Sequence, residues 1–275
     1  MTLEEALTRV PGWDPSSGLL PSPLQSGKHN RAFRVQTRAG DFVVRLQAPG
    51  AGVLGVDRAR ESTLSALAAA HGIAPALVYA EPDGLCSITQ FVCGEVWSPA
   101  RMREPAALRR LAEALRSLHS IPTPEVAPFD VLALMRQHCE RLGKADPAHG
   151  RSLEHLLRAA ESQYESIGGS TRRPSIVHND LHHSNIIDGG GLILIDWEYA
   201  AVTDPLFDLA CVLAYYPETQ TMGAMLLEHS GLASSATVAM LRTAAALFRT
   251  LNELWARVGR LGSRKSEPHL NGLEL

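Results

Sequence analysis

The chain has 275 residues, 45% of them hydrophobic, and a formal net charge of −3. That length allows a large core divided between two lobes, and the near-neutral charge argues against nucleic acid or an anionic membrane as a partner. No apolar run approaches the roughly 20 residues of a membrane span, and the N-terminus MTLEEALTRV is acidic and amphipathic, unlike a secretory signal. Cys86, Cys93, Cys139 and Cys211 form no C-x-x-C pair, so reduced thiols and a cytoplasmic location are expected.

Thr2 to Arg9 reads as a short helix stopped by Pro11 and Gly12, and a Pro, Ser and Gly-rich loop follows to Pro23. A first strand is expected around Leu24 to Gly27. A clear hairpin comes next, Ala32 to Thr37 and Asp41 to Leu46, turning at Arg38-Ala39-Gly40. Alternation puts Arg45 on the same strand face as Val43, so a cation stands among apolar neighbours and needs a partner. The next helix, started by Asp57 and stopped by Gly72, offers one, because Glu61 shares a stripe with Leu64 and Ala68. A surface salt bridge worth ~0 to 1 kcal/mol is the plainer reading of the same two residues. Gly72-Ile73-Ala74-Pro75 leads into a second hairpin, Ala76 to Ala80 and Leu85 to Val92, which closes a first lobe at residues 1–92.

Residues 93–275 read as a second, mostly helical lobe. After a linker from Trp97 to Glu104, Pro105 suits a first-turn position, and Leu108, Leu111, Ala112, Leu115 and Leu118 form one apolar stripe. Helices are expected over Val131 to Leu142, over Ser152 to Ile167, from Asp204-Pro205 onward, and over roughly Thr237 to Val258, with a loose tail after Gly259. Between them lies IVHNDLHHSNIIDGGGLILIDWEY. Ser175 to Val177 leads into a polar loop, Ile186-Ile187 and Leu192 to Ile195 form short strands, and Asp188 to Gly191 turns between them. Such a hairpin brings Asn185 and Asp196 close enough to share one hard cation, and Mg²⁺ prefers oxygen ligands of this kind. Asp180 is then placed to accept a proton from a hydroxyl attacking a bound phosphate. Turn capping by the same Asx residues is the alternative, and His178, His182 and His183 leave a zinc cluster open.

HNDLHHSN followed by LIDWEYA resembles the catalytic loop and metal-binding segment of the aminoglycoside phosphotransferase and choline kinase superfamily, which shares its fold with protein kinases. The IDWEYA form is similar to the choline/ethanolamine and thiamine kinase branch, although EYAA stands where many relatives read EYAG. The resemblance implies an α+β, two-lobed, protein-kinase-like fold with a small antiparallel-sheet N-lobe and a larger helical C-lobe. It implies ATP and Mg²⁺ as cofactors, Asp180 as catalytic base, Asn185 and Asp196 as Mg²⁺ ligands, His178 as a structural residue of the loop, and Asp208 as its brace. It puts Arg45, held by Glu61, on the ATP phosphates. The segment SGKHNRAF, with Gly27, takes the place of the loop that kinases fold over those phosphates, with a solvated turn as the alternative. Gln90 to Cys93, including Val92, match the hinge whose backbone binds adenine.

Glu198 lies two residues beyond Asp196 and is expected to face the same cleft, with Trp197 and Tyr199 beside it. A carboxylate with aromatic walls attracts an ammonium through charge and cation–π contact, worth ~0.5 to 2 kcal/mol per ring. Trp255 and the Tyr215-Tyr216 pair are further candidates for walls, with core packing as the alternative. The expected substrate is a small cationic alcohol of the choline, ethanolamine or thiamine type. An aminoglycoside or amino sugar, a nucleotide-binding pseudokinase and a zinc hydrolase remain open.

Overall fold

The structure, a computed structural model, describes residues 1–17, 20–24, 30–47, 56–82, 84–169 and 171–264. It begins with α1 (Leu3–Leu7), where Thr2 and Glu5 form a reciprocal capping box. Strands β1 (Ser22–Pro23), β2 (Asn30–Thr37) and β3 (Gly40–Gln47), helix α2 (Arg58–Ala70), and strands β4 (Leu77–Ala80) and β5 (Cys86–Gln90) follow. The strands form one antiparallel sheet in the order β1-β2-β3-β5-β4. Alternation along β3 buries Phe42, Val44 and Leu46 on one face, against Val35, Cys86 and Ile88 and the α1 residues Ala6 and Leu7. Val43 and Arg45 take the opposite face. Asp57 caps α2 by accepting the Arg60 N–H at 3.1 Å. The buried face of α2, Leu64 and Ala68, joins the core of the following helical lobe rather than the core of the sheet.

That lobe comprises β6 (Glu95–Val96), α3 (Pro105–Ser120), α4 (Val131–Ala145), α5 (Gly150–Ser166), β7 (Ser175–Val177), β8 (Ile186–Asp188), β9 (Leu192–Leu194), β10 (Ala201–Thr203), α6 (Leu206–Tyr215), α7 (Gly223–His229) and α8 (Val238–Arg264). Strand β8 pairs with both β6 and β9, and β10 closes on β7, so the catalytic-loop candidate is fastened at both ends by short ladders. The Cys93 and Gly94 backbone lies against the β8–β9 turn. A Cβ at Gly94 would stand 2.6 Å from the Asp188 carbonyl oxygen, and one at Gly189 2.5 Å from that of Cys93. Only glycine permits this approach. Asp204 anchors the start of α6, accepting the Leu206 N–H at 2.9 Å while paired with the buried Arg172.

Several expectations change. The first strand lies earlier than Leu24–Gly27, at Ser22–Pro23, and Leu24 N–H continues toward Ala32 O at 2.9 Å; Gly27 itself lies outside the described residues. Strands β6 and β10 have no counterpart in the expected elements, since two or three residues are too few to carry a period. Helix α8 runs through Gly259 to Arg264, where the loose tail was expected to have begun; residues 265–275 lie outside the described residues. A mid-helix glycine costs only about 1 kcal/mol, and burial of Leu254 and Val258 just before it offsets that.

Candidate active site

The loop after β7 is built around a buried carboxylate. Asp208, fully buried on α6, accepts the His178 N–H at 3.0 Å and the Asn179 N–H at 2.9 Å, and its other oxygen meets His119 Nε2 at 2.9 Å. Asn179 holds a left-handed conformation, φ 62°, and charge-assisted bonds to its amide and its neighbour's secure it there. His178 donates from Nε2 to Ile195 O at 2.9 Å and receives the Asp180 N–H on Nδ1 at 3.3 Å, tying the loop to the end of β9. Burial holds its imidazole below the usual histidine range, as these neutral roles require.

Asp180 follows. Tyr215 OH donates to its Oδ1 at 2.8 Å, and Asn185 Nδ2 donates to its Oδ2 at 2.8 Å and its backbone oxygen at 2.9 Å. Burial pushes the Asp180 carboxyl up to about 6; the Asp196 and Glu198 charges push the same way, while the Tyr215 and Asn185 hydrogen bonds oppose them. Because Asn185 gives its amide nitrogen to Asp180, its amide oxygen is the atom left for a cation. Ile195 N–H donates to Asn185 O at 2.9 Å, which sets Asp196 next to Asn185 across the hairpin. Asp196 is left-handed, φ 63°, and its side chain is 33% exposed. One amide oxygen and one partly exposed carboxylate, whose Oδ1 also meets Arg45, are donors that fit Mg²⁺.

Arg45 pairs with Glu61, as alternation and helical spacing suggested, and also reaches Asp196 Oδ1 at 2.5 Å. Sequence reasoning missed Arg58, whose NH1 lies 2.6 Å from Glu61 and 3.3 Å from Glu198, turning the pair into a chain of charges from β3 through α2 to the residues after β9. The i,i+3 spacing of Arg58 and Glu61 was the available signal. His119, which follows Leu118 in the last turn of α3, was missed as well, and so was Tyr215 as a donor to Asp180.

On one side of Asp180 opens a cavity of about 550 Å³ whose lining includes Glu198, Tyr199, Tyr215, Phe248 and Trp255. Tyr199 stands beside Glu198 in the lining, and its ring meets Trp255 edge-on at 5.9 Å. Trp197 is not a wall. It is 3% exposed, donates from Nε1 to Leu194 O at 2.8 Å and packs edge-on against His178, so it belongs to the core. Tyr216 also faces away, its OH receiving the His183 N–H at 2.9 Å. His183 Nδ1 bonds the same hydroxyl and His182 Nδ1 bonds Ser184, and among the described residues no group of three His, Cys, Asp or Glu is disposed to hold a metal ion. At the hinge, Gln90 N–H is spent on Ala76 O and Phe91 N–H on Asp41 O, both at 2.9 Å. Gln90 therefore cannot offer its amide to a base, and Val92 is the first residue past that pairing.

The sequence model described as the phosphotransferase enzyme family matches residues 21–254. Mouse ethanolamine kinase 2 is 29% identical over 165 residues, covering 56% of this chain and 42% of the mouse protein, so the chain spans under half the length of that curated relative. A choline/ethanolamine kinase family protein from Mesorhizobium loti superposes with a TM-score of 0.73 at 20% identity, over 96% of this chain and 87% of that one. The streptomycin-ATP-APH(2")-IIa ternary complex superposes at 0.61 with 19% identity, over 90% and 87%. These likenesses establish the two-lobed α+β fold.

Proposed function

Since this chain belongs to the phosphotransferase enzyme family, we propose that it transfers the γ-phosphoryl group of ATP to the hydroxyl of a small cationic alcohol of the choline, ethanolamine or thiamine type. The observation that carries this reading is the position of Asp180, between a cavity walled by Glu198, Tyr215 and Trp255 and the oxygen donors Asn185 and Asp196. The choline/ethanolamine kinase naming of similar proteins supports the acceptor class.

In the reaction the acceptor oxygen bonds to the γ-phosphorus, the bond from that phosphorus to the β,γ-bridging oxygen breaks to release ADP, and the hydroxyl proton passes to Asp180. Asp180 is suited to this because its two oxygens are oriented by Tyr215 and Asn185, and burial raises its basicity. Asn185 Oδ1 and Asp196 would hold Mg²⁺, which when bound neutralises phosphate charge. Arg45, steered by Glu61 and Asp196, would add a guanidinium to the same phosphates. The lobes would meet at residues 92–93, where the Val92 backbone would bind adenine. A cytoplasmic location agrees with four cysteines outside any disulfide and with the use of ATP; among the described residues no helix is long and apolar enough to cross a membrane.

The test is ADP release with Mg²⁺-ATP over a panel of choline, ethanolamine, thiamine and aminoglycosides. Asp180→Asn should lower acceptor-dependent turnover by about 10²- to 10⁴-fold while ATP affinity stays within a few-fold. Near-normal turnover in that variant would refute the base assignment.

A further inference from the structure

The cavity beside Asp180 is large and mostly apolar. Besides the residues named above, Phe129, Phe207 and Leu251 line it. A volume of about 550 Å³ falls within the roughly 300 to 1,000 Å³ of sites that bury drug-sized ligands. Ethanolamine or choline would fill a minor part of that and leave the rest as water against aromatic and aliphatic walls. The nucleotide-side residues Arg45, Gln90 and Val92 are not part of its lining, so its size belongs to the acceptor side.

Its charge is nearly balanced. Asp180 and Glu198 line it, but Arg58 pairs with Glu198 at 3.3 Å and Arg60 is itself a wall, with its guanidinium stacked 5.6 Å from the Phe129 ring. Arg58 also serves Glu61, which with Asp196 holds Arg45, so the four carboxylates Asp180, Glu198, Glu61 and Asp196 meet three guanidiniums and leave one excess negative charge, which suits one ammonium group and not several. Arg60, Phe129 and Leu134 also line a second cavity of about 530 Å³, whose other walls include the polar residues Thr63, Asp130 and Gln137. The two spaces are therefore neighbours across Phe129, the second being the more polar.

Resting on the phosphotransferase reading above, we propose that the acceptor is a bulky, largely apolar alcohol carrying at most one positive charge, whose body fills the space behind Asp180 and whose far end runs past Phe129 toward the second cavity. Among the cationic alcohols proposed above, those with a large apolar N-substituent are then better acceptors than choline or ethanolamine, and polycationic aminoglycosides are poor ones.

The test compares choline with N-benzyl- and N-octyl-N,N-dimethylethanolammonium and with kanamycin, on the full chain. Binding is read by calorimetry without nucleotide, and transfer by ADP release with Mg²⁺-ATP. Each methylene that reaches the apolar walls should tighten binding about fourfold, so the benzyl and octyl compounds should bind at least tenfold tighter than choline. Leu251→Trp, which narrows the first cavity, should shrink that advantage to under threefold. Larger analogues binding no better than choline, or kanamycin binding as tightly as they do, would overturn the proposal. Tight binding of the analogues without any ADP release would support the cavity assignment and count against the transfer reading instead.

Discussion

Arg58 offers a sharp test of the charge arrangement. Its guanidinium is shared by Glu61 at 2.6 Å and Glu198 at 3.3 Å, with the three side chains 14%, 9% and 8% exposed. Burial is the largest influence on Arg58 and pulls its pKa down; Glu198 is the strongest opposing charge. Two unit charges 3.3 Å apart attract by about 5 kcal/mol at an effective dielectric of about 20, and desolvation cancels much of that. Removing one partner leaves the other buried and uncompensated, at a cost of about 3 to 5 kcal/mol. Arg58→Met should therefore destabilise the fold by about 3 kcal/mol or more. Glu198→Gln should cost less, because Arg58 keeps Glu61. In the double variant no carboxylate is stranded at position 198, so its loss should fall short of the sum of the singles by about 1.5 to 3 kcal/mol. Urea unfolding of all four proteins, with matched m-values, measures this coupling. It should persist in 0.5 M NaCl, roughly, because buried pairs are weakly screened. Additivity within about 0.5 kcal/mol would refute the argument.

Three further outcomes follow from the geometry. Asp208→Asn removes the charge behind the bonds to His178, Asn179 and His119; at about 1.5 to 3 kcal/mol for a charge-assisted bond, turnover should fall about 10- to 100-fold, and unchanged turnover would deny Asp208 its bracing role. His138 is fully buried on α4, and burial, aided by Arg141, lowers its pKa to about 4. The unfolded chain takes up a proton near pH 6.5 and the native state does not, so stability is lost as pH falls from about 6.5 toward 4, by about 2 kcal/mol at pH 5; His138→Leu should flatten this stretch of the urea-midpoint profile. Gly189→Ala drives a methyl into the Cys93 carbonyl; it should cost about 1 to 3 kcal/mol of stability and raise the KM for ATP, and wild-type values of both would show that the hinge does not depend on the turn.

How much of this was legible follows from where each signal lies. Arg45 and Glu61 could be paired because each is set by a local period, two in the strand and 3.6 in the helix, and the fold keeps both periods. The loop that carries Asp180, Asn185 and Asp196 was legible because a short hairpin brings its ends together by covalent proximity. Trp197 was misread because the chain leaves the strand there: Asp196 turns left-handed and a 3₁₀ turn follows, so adjacent side chains diverge, Trp197 into the core and Glu198 into the cavity. At Gln90 the ladder extends to Phe91 and takes up the backbone N–H, and such pairing leaves no mark on side-chain identity.

Glu198 exposes the deeper limit. Spacing placed it correctly in the cleft, and as a lone carboxylate among aromatic rings it invites a cation. The residue that changes this is Arg58, 140 positions away, and no local pattern links the two. A period reports which face a side chain occupies; it is silent on the charge that a distant element brings to that face. Acceptor chemistry depends on net charge and free volume, both sums over several elements, whereas proton-transfer chemistry depends on one loop. Reaction type is therefore readable from a stretch of twenty-odd residues, while substrate size and charge emerge only when α2, α4, α6 and α8 are assembled around that loop.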